Sequence, residues 1–414
     1  MTDLAIIPLG YCVSEVRRKN LGGRVQNLLS LSYGRIVRKD IDSAEGLLPE
    51  SFDTYNVVEP GDTVLRLTDL QNDQRSLRVG LVEKRGIITS AYVTLRPGSR
   101  VNERFLNYFL KMMDFRKDFY ALGAGVRQSL KFDELRGVQL RVPPLDTQEA
   151  IADYLDTETA RIDALITKKQ RMLAVIAERG ELAFASALER RGVPWPRSLE
   201  ELEEASSQSS CRVIHLSQCL DQLTNGYVGP TRDILEKDGI RYVQSLHIKS
   251  GQIDFSRRPF YVNPKWHAER PRIHLREDDV LIVQTGDIGQ VAVVPSGFGE
   301  ASCHALQIAR VRRSMILGPY LAEYLRSSLG YQSLLSRATG ALHPHLEGGV
   351  RNVPVIVPSM EVQREVVSEV ADNRRHAATV SDRLGRQILL LREHRQALIT
   401  AAVTGELEVP GVVA

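Results

Sequence analysis

Val142-Pro143-Pro144-Leu145-Asp146-Thr147-Gln148-Glu149 and, 215 residues further on, Val357-Pro358-Ser359-Met360-Glu361-Val362-Gln363-Arg364 share the frame V-P-x-x-x-x-Q. Each opens a segment of about 45 residues in which apolar side chains return every three, four or seven positions, the spacing of one helix face. In the first these are Ile151, Leu155, Ile162, Leu165, Met172, Ile176, Ala183 and Ala187. In the second they are Val362, Val366, Val370, Ala377, Val380, Leu384, Ile388, Leu391 and Leu398. At the same offset upstream, Phe105, Leu106, Phe109 and Leu110 match Tyr320, Leu321, Tyr324 and Leu325, and Gly125 matches Gly340. A repeat covering a short amphipathic helix, a glycine and a long helix predicts two structurally similar halves related by a pseudo-twofold axis.

A helix of that length spans roughly 68 Å at 1.5 Å per residue, so one small domain cannot cover its apolar stripe. Pairing the two stripes as an antiparallel coiled coil satisfies both. Proline at the start and Gly192 and Gly405 beyond the ends mark the boundaries, and Gly180 inside the first helix reads as a site of close helix contact. The predicted fold class is α/β, with two similar mixed domains separated by the helices. The divisions are 1–145 for the first domain, 146–190 for the first helix, 191–211 for a connector, 212–360 for the second domain, 361–405 for the second helix and 406–414 for a tail. Apolar runs at 63–67, 78–82 and 87–95, and at 280–283, 289–294 and 305–311, read as strands of a twisted sheet. Segments 104–111 and 319–326 each add a small helix. The connector, with Pro194-Trp195-Pro196 and a run of glutamates, reads as a surface tether.

Composition narrows the function classes. With 414 residues, 43% of them hydrophobic, the chain can bury more than one core. No secretion signal or uncharged apolar run of about 20 residues is present, which argues against export and membrane spanning. Cys12, Cys211, Cys219 and Cys303 are scattered without a C-x-x-C pair, as expected in a reducing compartment and unlike a structural zinc site. Residues 1–145 hold 22 Lys/Arg against 17 Asp/Glu, and residues 212–360 hold 17 against 13, so positive charge gathers in the two globular segments. A polyanion would touch those segments rather than the helices.

Catalytic signatures are missing. The chain contains no Gly-Lys dipeptide and hence no ATP phosphate loop, and no Asn-Pro-Pro-Tyr tetrapeptide to hold an adenine for methyl transfer. Thr285-Gly286-Asp287-Ile288-Gly289 reads as a tight sheet turn rather than a nucleotide loop. His343 and His345 flank Pro344 without a third metal ligand, leaving a surface role or a phosphate or base contact. What remains are polar loops beside apolar strands. Arg17, Arg18, Lys19 and Arg24, with Tyr33, Arg35, Arg38 and Lys39, supply cationic groups near glycines in the first half. Asn225, Tyr227, Thr231 and Arg232, with Gln244, His247 and Lys249, combine amide, hydroxyl, aromatic and basic groups in the second. Such a mixture suits phosphates and base edges together, since Arg pairs with guanine and Asn or Gln with adenine. A scaffold whose coiled coil joins two protein-binding domains is the alternative.

The whole chain, from residue 1 to about 408, resembles the DNA-specificity subunit of a type I restriction-modification enzyme. The resemblance rests on the two V-P-x-x-x-x-Q helix starts, Pro60-Gly61-Asp62, Thr285-Gly286-Asp287-Ile288-Gly289, and Leu398-Ile399-Thr400-Ala401-Ala402-Val403-Thr404-Gly405-Glu406-Leu407. Ser359-Met360-Glu361 departs from the usual Pro-Leu and acidic pattern at the second helix start. The resemblance implies two target-recognition domains, each reading half of an interrupted site in double-stranded DNA, joined by two antiparallel helices that set their separation. It also implies two methyltransferase subunits that use S-adenosylmethionine to methylate a flipped adenine. Two restriction and translocation subunits would require ATP and Mg2+. This chain would bind none of those cofactors itself, catalyse neither reaction, and work in a prokaryotic cytoplasm.

Overall fold

The computed structural model describes residues 5–41, 51–70, 77–122, 129–205, 212–256, 258–340, 345–346 and 348–412. His343, Cys211 and Gly125 lie outside them. The chain forms two compact units, residues 1–170 with 385–414 and residues 171–384, so each unit takes part of both long helices. Those helices are Leu145–Glu189 and Met360–Thr404, within one residue of the ranges expected from periodicity. Gly192 and Gly405 follow them with φ of 74° and 78°, the left-handed conformation in which glycine ends a helix without a Cβ clash. A Cβ added at Gly180 would meet no atom within 4 Å beyond its own helix, so this glycine is not there to admit a close neighbour.

In the first unit, Ala5–Pro8 pairs antiparallel with Gln139–Val142, which leads into the first long helix. A four-stranded antiparallel sheet follows, in the spatial order Val13–Glu15, Val93–Pro97, Thr63–Leu65, Val79–Leu81. The expected single strand at 87–95 is two strands, because a turn at Thr89 to Tyr92 (N–O 3.2 Å) separates Gly86–Ile88 from Val93–Pro97. The helix Glu103–Phe115 lays Phe105, Leu106, Phe109 and Leu110 into a core with Leu65, Val79 and Leu95. Ile151 and Leu155 near the start of the first long helix and Ile399, Ala402 and Val403 near the end of the second complete that core. Asp163 to Arg395 (3.2 Å) and Lys169 to Gln387 (2.7 Å) show the two helices running antiparallel here.

The second unit repeats this plan. Arg212–His215 pairs antiparallel with Pro354–Val357, and the sheet order is Leu220–Asn225, Leu306–Val311, Val280–Val283, Val291–Val293, again first, fourth, second, third. Thr285 to Gly289 forms the expected tight turn between the last two of these, with Gly286 and Gly289 at φ of 82° and 80°. The helix Gly318–Arg326 buries Tyr320, Leu321, Tyr324 and Leu325 against Phe184, Ala187 and Leu188 of the first long helix and Val366 and Val370 of the second. Arg190 and Arg191 both reach Glu369, and Arg191 also reaches Glu365 (2.7 Å). The connector is not a surface tether: Trp195 stacks edge-on to Phe184 and Tyr324, and Leu202 is fully buried. Burying a leucine and part of an indole stabilises the packed connector despite its charged composition.

The apolar stripes are only partly covered. Ile162, Ile166, Leu384 and Ile388 are buried, but Leu165 is 43% exposed, Met172 45% and Leu390 61%. The first stripe is therefore open to solvent at Leu165 and Met172, while Leu390 lies beside the second stripe.

Candidate nucleic-acid interface

The shared V-P-x-x-x-x-Q frame has a structural meaning. Gln148, fully buried, accepts from Asn102 N (2.8 Å) and donates through Nε2 to Arg100 O (3.1 Å) and Pro143 O (2.8 Å). Gln363 does the same 215 residues on, with Leu317 N (2.9 Å), Met315 O (3.0 Å) and Pro358 O (2.9 Å). A neutral amide is the side chain that both accepts and donates, so it satisfies all three backbone groups where a carboxylate would repel the two carbonyls. Each clamp ties the start of a long helix to the loop before the short helix. A second shared fixture sits in the sheet, where Arg96 forks onto Asp62 (2.7 and 2.7 Å) and Arg310 onto Asp279 (3.0 and 2.9 Å). Both carboxylates are 1% exposed, and each also accepts a backbone N–H three residues earlier, from Glu59 and Arg276.

On these scaffolds the candidate contact residues take different situations. Tyr33 and Gly34 make the two-residue turn of the hairpin formed by Leu29–Ser32 and Arg35–Arg38, both at positive φ, and Tyr33 is 82% exposed at its tip. Arg35 is exposed and reaches Asp163 (3.4 Å), while Arg24, Arg38 and Lys39 are exposed. Arg17 forks onto Glu15, whose hydrogen bond and charge raise the guanidinium pKa further, and Arg18 lies 3.6 Å from Glu59. Lys19 holds Thr54 O and Asn56 Oδ1 (2.9 and 3.0 Å), fastening its loop.

In the second domain, Arg232 and Lys249 are exposed and Thr231 and Gln244 half-buried. His247 is a correction to the sequence reading: it is fully buried, its Nδ1 accepts from Gln244 N (2.9 Å), and its Nε2 meets Arg258 O (3.1 Å). Tyr227 likewise packs inward, edge-on to Trp266 at 5.2 Å. An alternating pattern of aromatic and polar residues does not tell which of them faces a local core, and here a satellite cluster around Phe255, Phe260 and Trp266 claimed both rings.

The structure brings Asn225 and His345 together in a cleft of about 570 Å³, whose other polar lining includes Gln284, Thr285, Gln307 and Arg351. Sequence reading passed over Gln284, Gln307 and Arg351. The one available signal was a glutamine directly after the buried run Val280–Val283, where an apolar strand would otherwise continue.

Residues 79–173 match the profile of the type I restriction modification DNA specificity domain. That segment contains the first short helix, the Gln148 clamp and the opening of the first long helix. Over 186 residues the chain is 23% identical to the type I restriction enzyme EcoBI specificity subunit of Escherichia coli, an alignment covering 45% of this chain and only 39% of that subunit. The fold agrees over nearly the full length with known structures. A chain from a structure describing complex assembly and conformational transition of the type I R-M system superposes with a TM-score of 0.71 at 16% identity, covering 98% of this chain and 99% of that one. The HsdS subunit of Thermoanaerobacter tengcongensis gives 0.55 at 16%, covering 98% of each chain.

Proposed function

We propose that this chain is the DNA-recognition subunit of a type I restriction-modification complex, that each α/β domain reads one half of a bipartite target, and that the chain itself catalyses neither methylation nor cleavage. The observation that carries the reading is duplication with divergence. Strand order, the glutamine clamp and the buried Asp–Arg fork recur in both halves, while the loops and added strands differ. Two equivalent frames bearing unlike loops suit a target with two unlike halves. The candidate contacts along these loops remain the expected DNA-facing residues, except His247 and Tyr227. The solvent-facing apolar residues of the long helices, among them Leu165, Met172, Val175, Leu182, Leu389 and Leu390, suit docking of two methyltransferase subunits, with two translocating nuclease subunits in the full complex. S-adenosylmethionine, ATP and Mg2+ would reside in those partners, in a prokaryotic cytoplasm. Exchanging residues 212–355 for the same domain of a related subunit should change one half-site in methylation mapping and preserve the other. A change in both halves would overturn the division of labour, and purification with no methyltransferase and no DNA preference would favour a protein scaffold.

A further inference from the structure

Within the second domain, Leu220–Asn225 and Val280–Val283 flank Leu306–Val311 and both run antiparallel to it. They therefore run parallel to each other, and Asn225 at the end of one and Gln284 just past the end of the other emerge on the same side, into the cleft. Gln284 Nε2 donates to Asn225 Oδ1 at 2.6 Å. Among the described residues the Asn225 amide nitrogen and the Gln284 amide oxygen have no further protein partner, although Gln284 is only 8% exposed. Turning both amides over exchanges the atoms but leaves the same complement, one N–H donor group and one carbonyl acceptor.

That complement selects among bases. Adenine presents an acceptor at N7 beside a donor at N6, guanine presents two acceptors, thymine an acceptor with a methyl group, and cytosine a donor. Only adenine answers both amide groups; guanine would set O6 against the carbonyl. Resting on the function proposed above, we infer that this cleft is a base-reading subsite in which the Asn225–Gln284 amide pair takes the major-groove edge of one adenine in the second half-site.

The pair stands on a fixed backbone, which a reading device requires. Gly226 N donates to Leu306 O (2.7 Å) and Tyr227 N to Cys303 O (2.9 Å), and a Cβ at Gly226 would lie 2.6 Å from Cys303 O, so only glycine allows the chain to pass there. On the other side Gln284 O accepts from Leu346 N (3.0 Å). Arg351 at the rim is exposed and spends one Nη2 bond on Leu223 O (3.2 Å), leaving other donors for a phosphate. Among the described residues the first domain has no such pair of amides. Counting from the strand pairs Ser14 with Arg96 and Gln222 with Arg310, Arg17 stands where Asn225 does, and counting from Asp62 and Asp279, the buried Leu67 stands where Gln284 does.

The test uses the full chain assembled with its methyltransferase partner and titrated with cognate duplexes in which each adenine of the second half-site is replaced, one at a time, by an analogue carrying C–H in place of N7. Wild type should lose affinity roughly 5- to 100-fold at one position, the range of a good base contact. Asn225→Ala should bind the normal duplex more weakly by a similar factor and show no further loss with the analogue at that position. Gln284→Leu, which copies the first domain, should also bind the normal duplex more weakly, because the acceptor offered to N6 is gone; Asn225 is exposed, so its variant remains informative even where the glutamine variant fails to fold. A wild-type complex that discriminates sequence yet is indifferent to every analogue overturns the subsite and leaves the recognition function standing. A complex with no sequence preference overturns the recognition function, and the subsite with it.

Discussion

Where the short helix meets the long one, the first domain sets the Tyr108 hydroxyl against Thr159 at 3.2 Å, and the second, 215 residues on, sets Glu323 against Arg374 at 2.7 Å. The same substitution of chemistry at fixed geometry recurs nearby. Phe105 and Phe109 become Tyr320 and Tyr324, whose hydroxyls donate to Ile356 O (3.0 Å) and Pro354 O (2.8 Å). Gly61 at φ 90° becomes Asp278 at φ 70°, and Lys111 becomes Arg326. The two glutamine clamps, by contrast, match bond for bond. Contacts between two side chains can be exchanged as a pair, because both partners are free to change. A side chain that satisfies a backbone N–H and two C=O groups at once is harder to exchange, because its partners exist whatever the sequence, whereas each tyrosine hydroxyl adds a single bond to a carbonyl and phenylalanine can stand in its place.

The largest test of that contrast lies in the Asp–Arg forks. Asp279→Asn should cost about 3–5 kcal/mol, because it leaves Arg310, 14% exposed, without its counter-charge in a closed site. Asp62→Asn should cost about 1.5–3 kcal/mol, since Arg96 is 44% exposed and can turn to water. Hydrogen exchange of the flanking strand amides, read separately in each domain, checks the difference, and equal losses would show that burial of the arginine does not set the cost.

The glutamine clamps should respond equally. Gln148→Ala and Gln363→Ala each orphan one buried N–H and weaken two carbonyls, a loss of about 2–3 kcal/mol at either position. Unequal losses, measured by the same exchange experiment at the short helices, would break the equivalence inferred from geometry.

A smaller effect separates two half-buried cations, Lys111 and Arg326. Burial, and then the nearby Arg395, pushes the Lys111 pKa from 10.5 down to about 8, with Arg35 adding to the fall and Asp156 and Asp163 opposing it. The unfolded chain holds that proton up to pH about 10.5 and the folded chain releases it near 8, so stability of the first domain should rise as pH climbs through this window. Lys111→Met should remove the slope and raise stability below pH 8 by on the order of 1–2 kcal/mol. Burial lowers the Arg326 pKa too, but from the higher starting point of 12.5 and against the pull of Glu323, so the second domain should show no matching slope between pH 7 and 10; denaturant titrations over that range followed by domain-resolved exchange check this.

Much of this architecture was legible from local spacing. Helix periodicity carried across about 45 residues is long enough to average out exceptions, and the left-handed glycines Gly192 and Gly405 act on their own helix ends, so both were readable without a partner. The repeat was legible because matching residues sit at one offset. Of the candidate residues, Arg24, Arg35, Arg38 and Asn225 are exposed, while His247 and Tyr227 turned inward because a neighbouring aromatic cluster, assembled from Phe255, Phe260 and Trp266, offered them burial.

The sequence by itself determined the two long helices, their ends, the duplication and the placement of positive charge, since each of these depends on residues close together or on simple counting. Only the tertiary structure decided that Ala5–Pro8 pairs with Gln139–Val142, that Trp195 and Leu202 of the connector join the second core, that Gln148 and Gln363 are clamps, and that Asn225 meets Gln284. Each of those depends on partners brought together from distant parts of the chain. Which of many polar side chains finds such a partner is set by the packing of the whole domain, not by its neighbours in sequence.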